Sequence, residues 1–419
     1  MIAMKTDSSL RLAAVVVLSV LFIYGCSQTD STSAEESTIR DHVEWLADPG
    51  LEGRLAGTAG EASAANYISD RFLASGLRPA GDNGTYLQQF TLTGPMPQAM
   101  EMENNISRNV VGIIEGRGNS GQYIVIGAHY DSQGNGGMIS MDSDDEQAVH
   151  PGADDNASGT AGLIELAEYF SENVPDKNML FIAFSGEEMG LLGARYFMEE
   201  TQISPDSIAA MINMDMIGRM DDNEVTIFGT GTSNRWEEIL DELETDSLDI
   251  TRTPSGTGAS DHAAFYEAGI PVLHYFTGTH GDYHRSTDTA DKINYKGIQS
   301  ILGHVRRVVE RLDRIDAGEI SFRESSNPHS GQMDFGGPTL GVLPDYSWSG
   351  DGFRIDGVRD GDAADRGGMM EGDVIIRMGE FEIGDIYDYM DNLSEFQQGD
   401  RVEVTVLRNG DEVELEIQF

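Results

Sequence analysis

Two glutamates, Glu187 and Glu188, stand side by side in FIAFSGEEMG (181–190), directly after an apolar run. Neighbouring carboxylates repel each other and are costly in apolar surroundings. Their place at the mouth of a core strand therefore calls for a solvated helix start or for positive charge between them. Other acid and imidazole groups take the same kind of position. His129 closes QYIVIGAH, Asp215 follows AAMIN, and His284 lies beyond IPVLHYF. Asp154 and Asp155 occupy PGADDNASG, a turn that leads into a helical pattern. In an open α/β sheet the carboxyl ends of the strands share one edge, where ligands bind. These side chains are expected to meet there.

Two histidines and several carboxylates, with no thiol among them, suit a hard-to-borderline divalent cation. Zinc comes first, with manganese or cobalt as substitutes. The carboxylates outnumber what one four-coordinate ion takes, so two ions bridged by one aspartate is the economical arrangement. Such a pair supplies a water of low pKa and an electrophilic clamp on a carbonyl. Of the adjacent glutamates, one can hold metal while the other accepts the water's proton. Taken singly, each signal has a plainer reading: acids are favoured at any helix N-terminus, and a lone histidine can be a satisfied core residue. His280 and His284 are four apart, but Gly281 and the missing glutamate argue against a helical zinc pair. His150, His262 and His274 have no comparable placement.

The elements that must position this set are legible as alternating patterns. RNVVGII, QYIVIGA, KNMLFIAFS, the AAMIN region and IPVLHYF read as strands. ASGTAGLIELAEYFSENV, GLLGARYFMEE and GHVRRVVERLDRI read as helices, as do two stretches between Ile39 and Leu77. This alternation predicts an α/β domain over 39–316 with a mostly parallel central sheet and helices on both faces. A linker is expected over 317–330. Beyond it, 331–419 shows period-two strands such as RVEVTVLRNG and EVELEIQF, a second and mainly β domain. The stretch 408–411 reads as its hairpin turn.

A length of 419 residues fits two such domains. The chain carries 72 acidic and 27 basic residues, net −45. That balance excludes nucleic-acid binding and electrostatic docking to anionic lipid. It also predicts adaptation to high salt, which screens the self-repulsion. Near the start, Lys5 and Arg11 precede the apolar run 12–25, the pattern of an export signal. IYGC (23–26) resembles a bacterial lipobox, so Cys26 is the expected lipidation site, with 1–26 as lipoprotein-type signal peptide. Residues 27–38 then read as a flexible tether, and the protein as exported to the bacterial cell envelope and anchored by lipid alone. As the sole cysteine, Cys26 leaves no disulfide to form.

GAHYDS, PGADDNASG, FSGEEMGLLGARYF, INMDMIG and YHRSTDT, in this order, closely resemble the di-zinc aminopeptidases of the aminopeptidase Y and bacterial leucyl aminopeptidase type. The resemblance covers roughly 39–316 and implies a zinc exopeptidase fold. It implies that Asp155 bridges two Zn2+, with His129 and Asp215 on one ion and Glu188 and His284 on the other. Glu187 would be the general base and Tyr283 a stabiliser of the oxyanion. Asp131 would orient His129, with Asp261 and Asp288 as supporting residues. The resemblance implies peptide substrates cut at the N-terminal bond. A carboxypeptidase or dipeptidase on the same scaffold, and a non-catalytic peptide-binding module, stand as alternatives.

The C-terminal domain resembles a bacterial PDZ domain through GMMEGDVIIRMG and through Thr339, Leu340, Gly341 and Val342, placed where a carboxylate-binding loop leads into a strand. That resemblance implies capture of an extended peptide and its C-terminus by strand addition.

Overall fold

The computed structural model describes residues 28–419 apart from 103, 138, 143–147, 246, 326–338, 346–347, 349, 360, 394 and 398. The expected export signal and lipidation site, Cys26, lie outside the described residues, as do 326–330 of the expected linker.

The N-terminal domain is built on strands β1 (Arg78–Pro79), β2 (Leu87–Thr91), β3 (Ile106–Ile114), β4 (Tyr123–His129), β5 (Asn178–Phe184), β6 (Ile208–Met214), β7 (Glu224–Phe228), β8 (Asp249–Thr253) and β9 (Val272–Phe276). They form one sheet in the order β1-β3-β5-β4-β6-β9-β7-β8, with β2 also against β3. Strand β6 is buried at every position, and β4 and β5 at every position but the first. Such near-continuous apolar runs mark strands covered on both faces.

Helices α1 (Gln28–Leu46), α2 (Ala59–Ala74), α3 (Pro95–Ala99), α4 (Gly159–Glu172), α5 (Leu192–Glu200), α6 (Trp236–Glu242), α7 (His262–Glu267) and α8 (Tyr295–Asp313) supply the cover. Residues of α1, α2, α4 and α8 bury with Ile124, Ile126 and Ile212 on one face. Ala194 and Phe197 of α5 and Phe265 of α7 pack with Val125, Leu180 and Ile182 on the other.

The expected α/β sheet with helices on both faces is present; one detail of it and two boundaries differ. The sheet is mixed: β5-β4-β6-β9 run parallel and β7 parallel to β8, but β1, β2 and β3 pair antiparallel, as do β3 with β5 and β7 with β9. Only parallel neighbours need a crossover helix, and no long helix separates β1, β2 and β3. Second, helix α1 starts at Gln28, inside the stretch expected as a flexible tether. Ile39, Val43 and Leu46 anchor its apolar face in the core, and extending an anchored helix costs far less than starting one. Third, the domain does not stop at 316. Arg323 N–H donates to Thr232 O at 2.8 Å and Gly256 N–H to Ser325 O at 2.7 Å, so backbone pairing docks the start of the expected linker on the body.

The second domain holds β10 (Val342–Pro344), β11 (Phe353–Val358), α9 (Ala363–Gly367), β12 (Val374–Met378), β13 (Phe381–Glu382), α10 (Ile386–Leu393), β14 (Arg401–Arg408) and β15 (Asp411–Gln418). All its strand pairs are antiparallel. The β14–β15 turn is the expected two-residue hairpin: Asn409 and Gly410 have φ of 54° and 88°, which the primed turn requires. Ile355, Ile375, Val404 and Ile417 centre a separate core.

Two imidazoles deep in the first domain are held neutral. His42 Nδ1 lies 2.7 Å from the Tyr67 hydroxyl, and His304 Nδ1 lies 2.9 Å from that of Tyr275. Burial first, then nearby arginines, lowers each from 6.5 to about 4. The unfolded chain therefore takes up these protons before the folded one does. Each neutral imidazole contributes stability above pH 6.5 that is lost as pH falls towards 4, up to about 3 kcal/mol apiece. His304→Asn should accordingly flatten the fall in urea midpoint between pH 7 and 4.5. An unchanged slope would refute this account.

Candidate metal centre

The four parallel strands β5, β4, β6 and β9 deliver the expected residues to one edge. His129 is the last residue of β4 and Asp215 follows β6 directly. Glu187 and Glu188 come after β5 through Ser185 and Gly186, and Gly186 has φ of 72°, a turn that favours glycine. His284 arrives on the loop after β9. Asp155 sits in the irregular turn 153–158 before α4.

The side chains form two groups that share one residue. His129, Asp155 and Asp215 make the first, and Asp155, Glu188 and His284 the second; within each, one donor atom per residue lies within 4.8 Å of the others. His129 Nε2 is 3.2 Å from Asp215 Oδ1 and 3.4 Å from Asp155 Oδ1. His284 Nε2 is 3.3 Å from Asp155 Oδ2 and 3.5 Å from Glu188 Oε2. Asp155 thus turns one oxygen to each group. Asp154 does not join them. Its Oδ1 accepts from Gly218 N–H at 2.6 Å and its Oδ2 lies 3.1 Å from His280 Nε2. His280 is accordingly tied to Asp154 and belongs to neither group.

Electrostatics make this arrangement demanding without a cation. Burial, then the Asp155 charge, pushes Glu188 up to about 8, and its Oε1 is buried with no hydrogen-bond partner among the described residues. Burial also drives Glu187 well above the ordinary carboxylate range, with His129 opposing and Asp215, Glu188 and Asp261 reinforcing. Burial would raise Asp155 too, but hydrogen bonds with His129 and His284 hold it below its ordinary value. Buried imidazole and carboxylate donors clustered in this way fit divalent cations, which would neutralise the excess charge.

Supporting contacts explain how the donors stay aimed. Asp288 Oδ2 accepts from the backbone N–H groups of Asp154 and Asp155 at 2.9 and 3.1 Å, fixing the shared aspartate. Asp131 acts through two groups: its backbone O lies 3.3 Å from His129 Nδ1 and its Oδ1 3.7 Å away, while Oδ1 also accepts from Glu187 N–H at 3.3 Å. Asp261 is buried at the head of α7 and neither oxygen has a hydrogen-bond partner among the described residues. Tyr283 stacks on the His284 ring with centroids 3.7 Å apart. Such partners orient metal-binding imidazoles and set their basicity.

Three contributors escaped sequence reasoning. Ile139 O lies 2.9 Å from His284 Nδ1, and Ser260 Oγ donates to Asp215 Oδ2 at 2.8 Å. Arg54 is fully buried and donates to Tyr130 O at 2.8 Å, Pro151 O at 2.7 Å and Gly152 O at 3.0 Å, as well as to Leu46 O. It therefore ties the end of α1 to the loops carrying Asp131 and Asp155. Burial lowers its pKa to about 10, against the pull of Asp131 and Asp155.

Residues 109–309 match the sequence profile of peptidase family M28. That match spans just under half of the chain and marks an M28 peptidase domain there. Residues 320–419 match the PDZ domain profile, so the M28 domain carries an appended PDZ domain. Aminopeptidase YwaD of Bacillus subtilis is 30% identical over 213 residues, covering 47% of this chain and 42% of its own length. A probable zinc metalloprotease of Pyrenophora tritici-repentis is 29% identical over 204 residues, 47% of this chain and 45% of its own. The chain thus spans under half the length of these two relatives. Among solved structures, BSAP, a zinc aminopeptidase from Bacillus subtilis, superposes with a TM-score of 0.53 at 18% identity, covering 68% of this chain and 98% of its own. A glutaminyl cyclase of Bacteroides thetaiotaomicron also gives 0.53, at 16% identity, covering 66% and 97%. The M28 fold is therefore common to both, and the choice between activities rests on the site.

Proposed function

We propose that this M28 chain is a zinc aminopeptidase working with two ions, held by His129, Asp155 and Asp215 and by Asp155, Glu188 and His284. The observation that carries this is Asp155, whose two oxygens face separate donor groups. Bound there, the ions supply a water of lowered pKa and polarise the scissile carbonyl. The chain's own residues do the rest. Glu187 sits beside the groups without belonging to either, and burial gives its carboxylate a high proton affinity. It takes the proton of the attacking water and passes it to the leaving amine. The Tyr283 hydroxyl, on the ring beside His284, offers a hydrogen bond to the developing oxyanion.

The charge lining the cleft favours an amino end over a carboxyl end. Beyond the proposed metal ligands and base, Glu199, Glu267 and Glu324 line it, and the M28-domain arginine that lines it among the described residues, Arg195, is committed to Glu267 at 2.8 and 3.1 Å. A positively charged amine is drawn to such a wall and a carboxylate is repelled. The zinc-loaded chain in high-salt buffer should hydrolyse leucine anilide and leave its N-acetylated analogue intact. Equal cleavage of both, or of neither, would refute the aminopeptidase reading.

The amino-terminal pattern supports export and anchoring through Cys26 in the cell envelope. Cys26→Ser should move the protein from the membrane to the soluble fraction of a bacterial host. An unchanged distribution would sink that assignment.

A further inference from the structure

The cleft in front of the two donor groups does not end within the M28 domain. It is one cavity of about 1840 Å³ that runs from Glu187, Glu188 and His284 to Thr339, Val342 and Ile386 of the PDZ domain. Small-ligand sites occupy roughly 300–1,000 Å³, so this space suits an extended chain rather than a single residue. Strand β10 lies at the edge of its sheet, paired with β11 alone among the described residues. An open strand edge is a template for an added strand. Along β10, Leu343 is buried while Val342 and Pro344 are part-exposed, with Val342 also packing against the PDZ core. The head of α10, at Ile386, closes a strand-and-helix groove that opens into the same cavity.

Contacts between the domains fix that groove against the metal centre. Arg359 Nε donates to Asp142 O at 3.1 Å, and Thr279 Oγ1 donates to Asp356 Oδ2. The backbone N–H of Arg359 donates in turn to Gly341 O at 2.7 Å, in the loop that leads into β10. The 139–142 segment receiving Arg359 also holds His284, through Ile139 O and through Met141 N–H to His284 O at 2.8 Å. Of the cleft's three arginines among the described residues, Arg354 and Arg359 lie at the PDZ end, beside Asp345 and Asp362.

We propose that the PDZ groove is the far end of the enzyme's own substrate cleft. One oligopeptide lies in it, with its free amine at the carboxylate wall and its C-terminal residues added as a strand to β10, the terminal carboxylate in the Thr339–Gly341 loop. The enzyme then prefers intact oligopeptides with a free carboxyl end to single-residue amides. This rests on the aminopeptidase reading, and its test separates the two.

Leucine-initiated peptides of about two to about eight residues, each as free acid and as C-terminal amide, would be compared with the full zinc-loaded chain. An extended residue adds roughly 3.3–3.6 Å, so only the longer peptides can reach both ends. The expected result is a kcat/KM that rises with length, and an acid-over-amide preference of about tenfold, the equivalent of ~1.4 kcal/mol, confined to the longer peptides. Val342→Glu and Pro344→Glu should each bring that ratio to about one, Pro344 lying on the cleft wall outside the PDZ core cluster. Equal rates for acid and amide at every length, or a ratio unchanged in both variants, would overturn the proposal. Calorimetric binding to the Glu187→Gln chain reads the same preference without turnover. Blocking either end of a long peptide should weaken binding; if N-acetylation makes no difference, the groove and the centre are separate sites and the proposal fails. No hydrolysis of leucine anilide by the unmutated zinc-loaded chain, with peptide binding intact, would instead refute the aminopeptidase reading.

Discussion

Glu187→Gln should lower kcat on leucine anilide by roughly thousandfold, within the range a positioned general base contributes, while KM and zinc content stay near wild type. Glutamine keeps the size and shape of the side chain but cannot accept a proton. The residue lies outside both donor groups, so the ligands are untouched. Its backbone N–H still donates to Asp131 Oδ1, which keeps the turn after β5 in place. The neighbouring Glu188 cannot substitute, because its Oε2 is turned towards His284. A variant that retained more than a tenth of the activity, or lost zinc, would show that Glu187 is not the proton carrier.

Asp155→Asn carries the other large effect and reports on the ion count directly. Its two oxygens face His129 on one side and His284 on the other. Losing the negative charge weakens both groups at once and leaves the imidazoles without their common partner. Zinc content should fall from about two ions per chain to one or none, and kcat by at least about thousandfold, since neither the lowered water pKa nor the carbonyl clamp survives intact. Asp154→Asn is the matched control. That side chain is committed to Gly218 and His280, so zinc should stay at the wild-type level. Two tightly bound ions in the Asp155 variant would exclude a bridging role.

How much of this was legible differs from residue to residue. The strands carrying His129, Glu187 and Asp215 were readable because a strand covered on both faces is a continuous apolar run, and a polar residue at its end stands out. His284, eight residues beyond β9, had no such periodic cue, and its role came through resemblance. So did the choice of Asp155 over Asp154, since neighbours in an irregular turn look alike until their directions are known. Ile139 was invisible because its contribution is a backbone carbonyl, which every residue has. Arg54 was invisible because a buried arginine looks like a surface one until the carbonyls around it have been assembled. The antiparallel flanks of the sheet were missed for a similar reason: composition marks a strand but does not give its direction.

By itself, the sequence determined the α/β core, the β-rich second domain, the acidic surface and the pool of candidate ligands. Those properties are local: hydrophobic period, turn residues and charge are written within a few positions of where they act. Only the tertiary structure decided which carboxylates face one another, that one aspartate serves two groups, and that the edge of the PDZ sheet opens onto the metal centre. These depend on strand order and on contacts such as Arg359 with Asp142, 217 positions apart. Burial and direction of a side chain are set by the whole packed chain, and no window of sequence contains them.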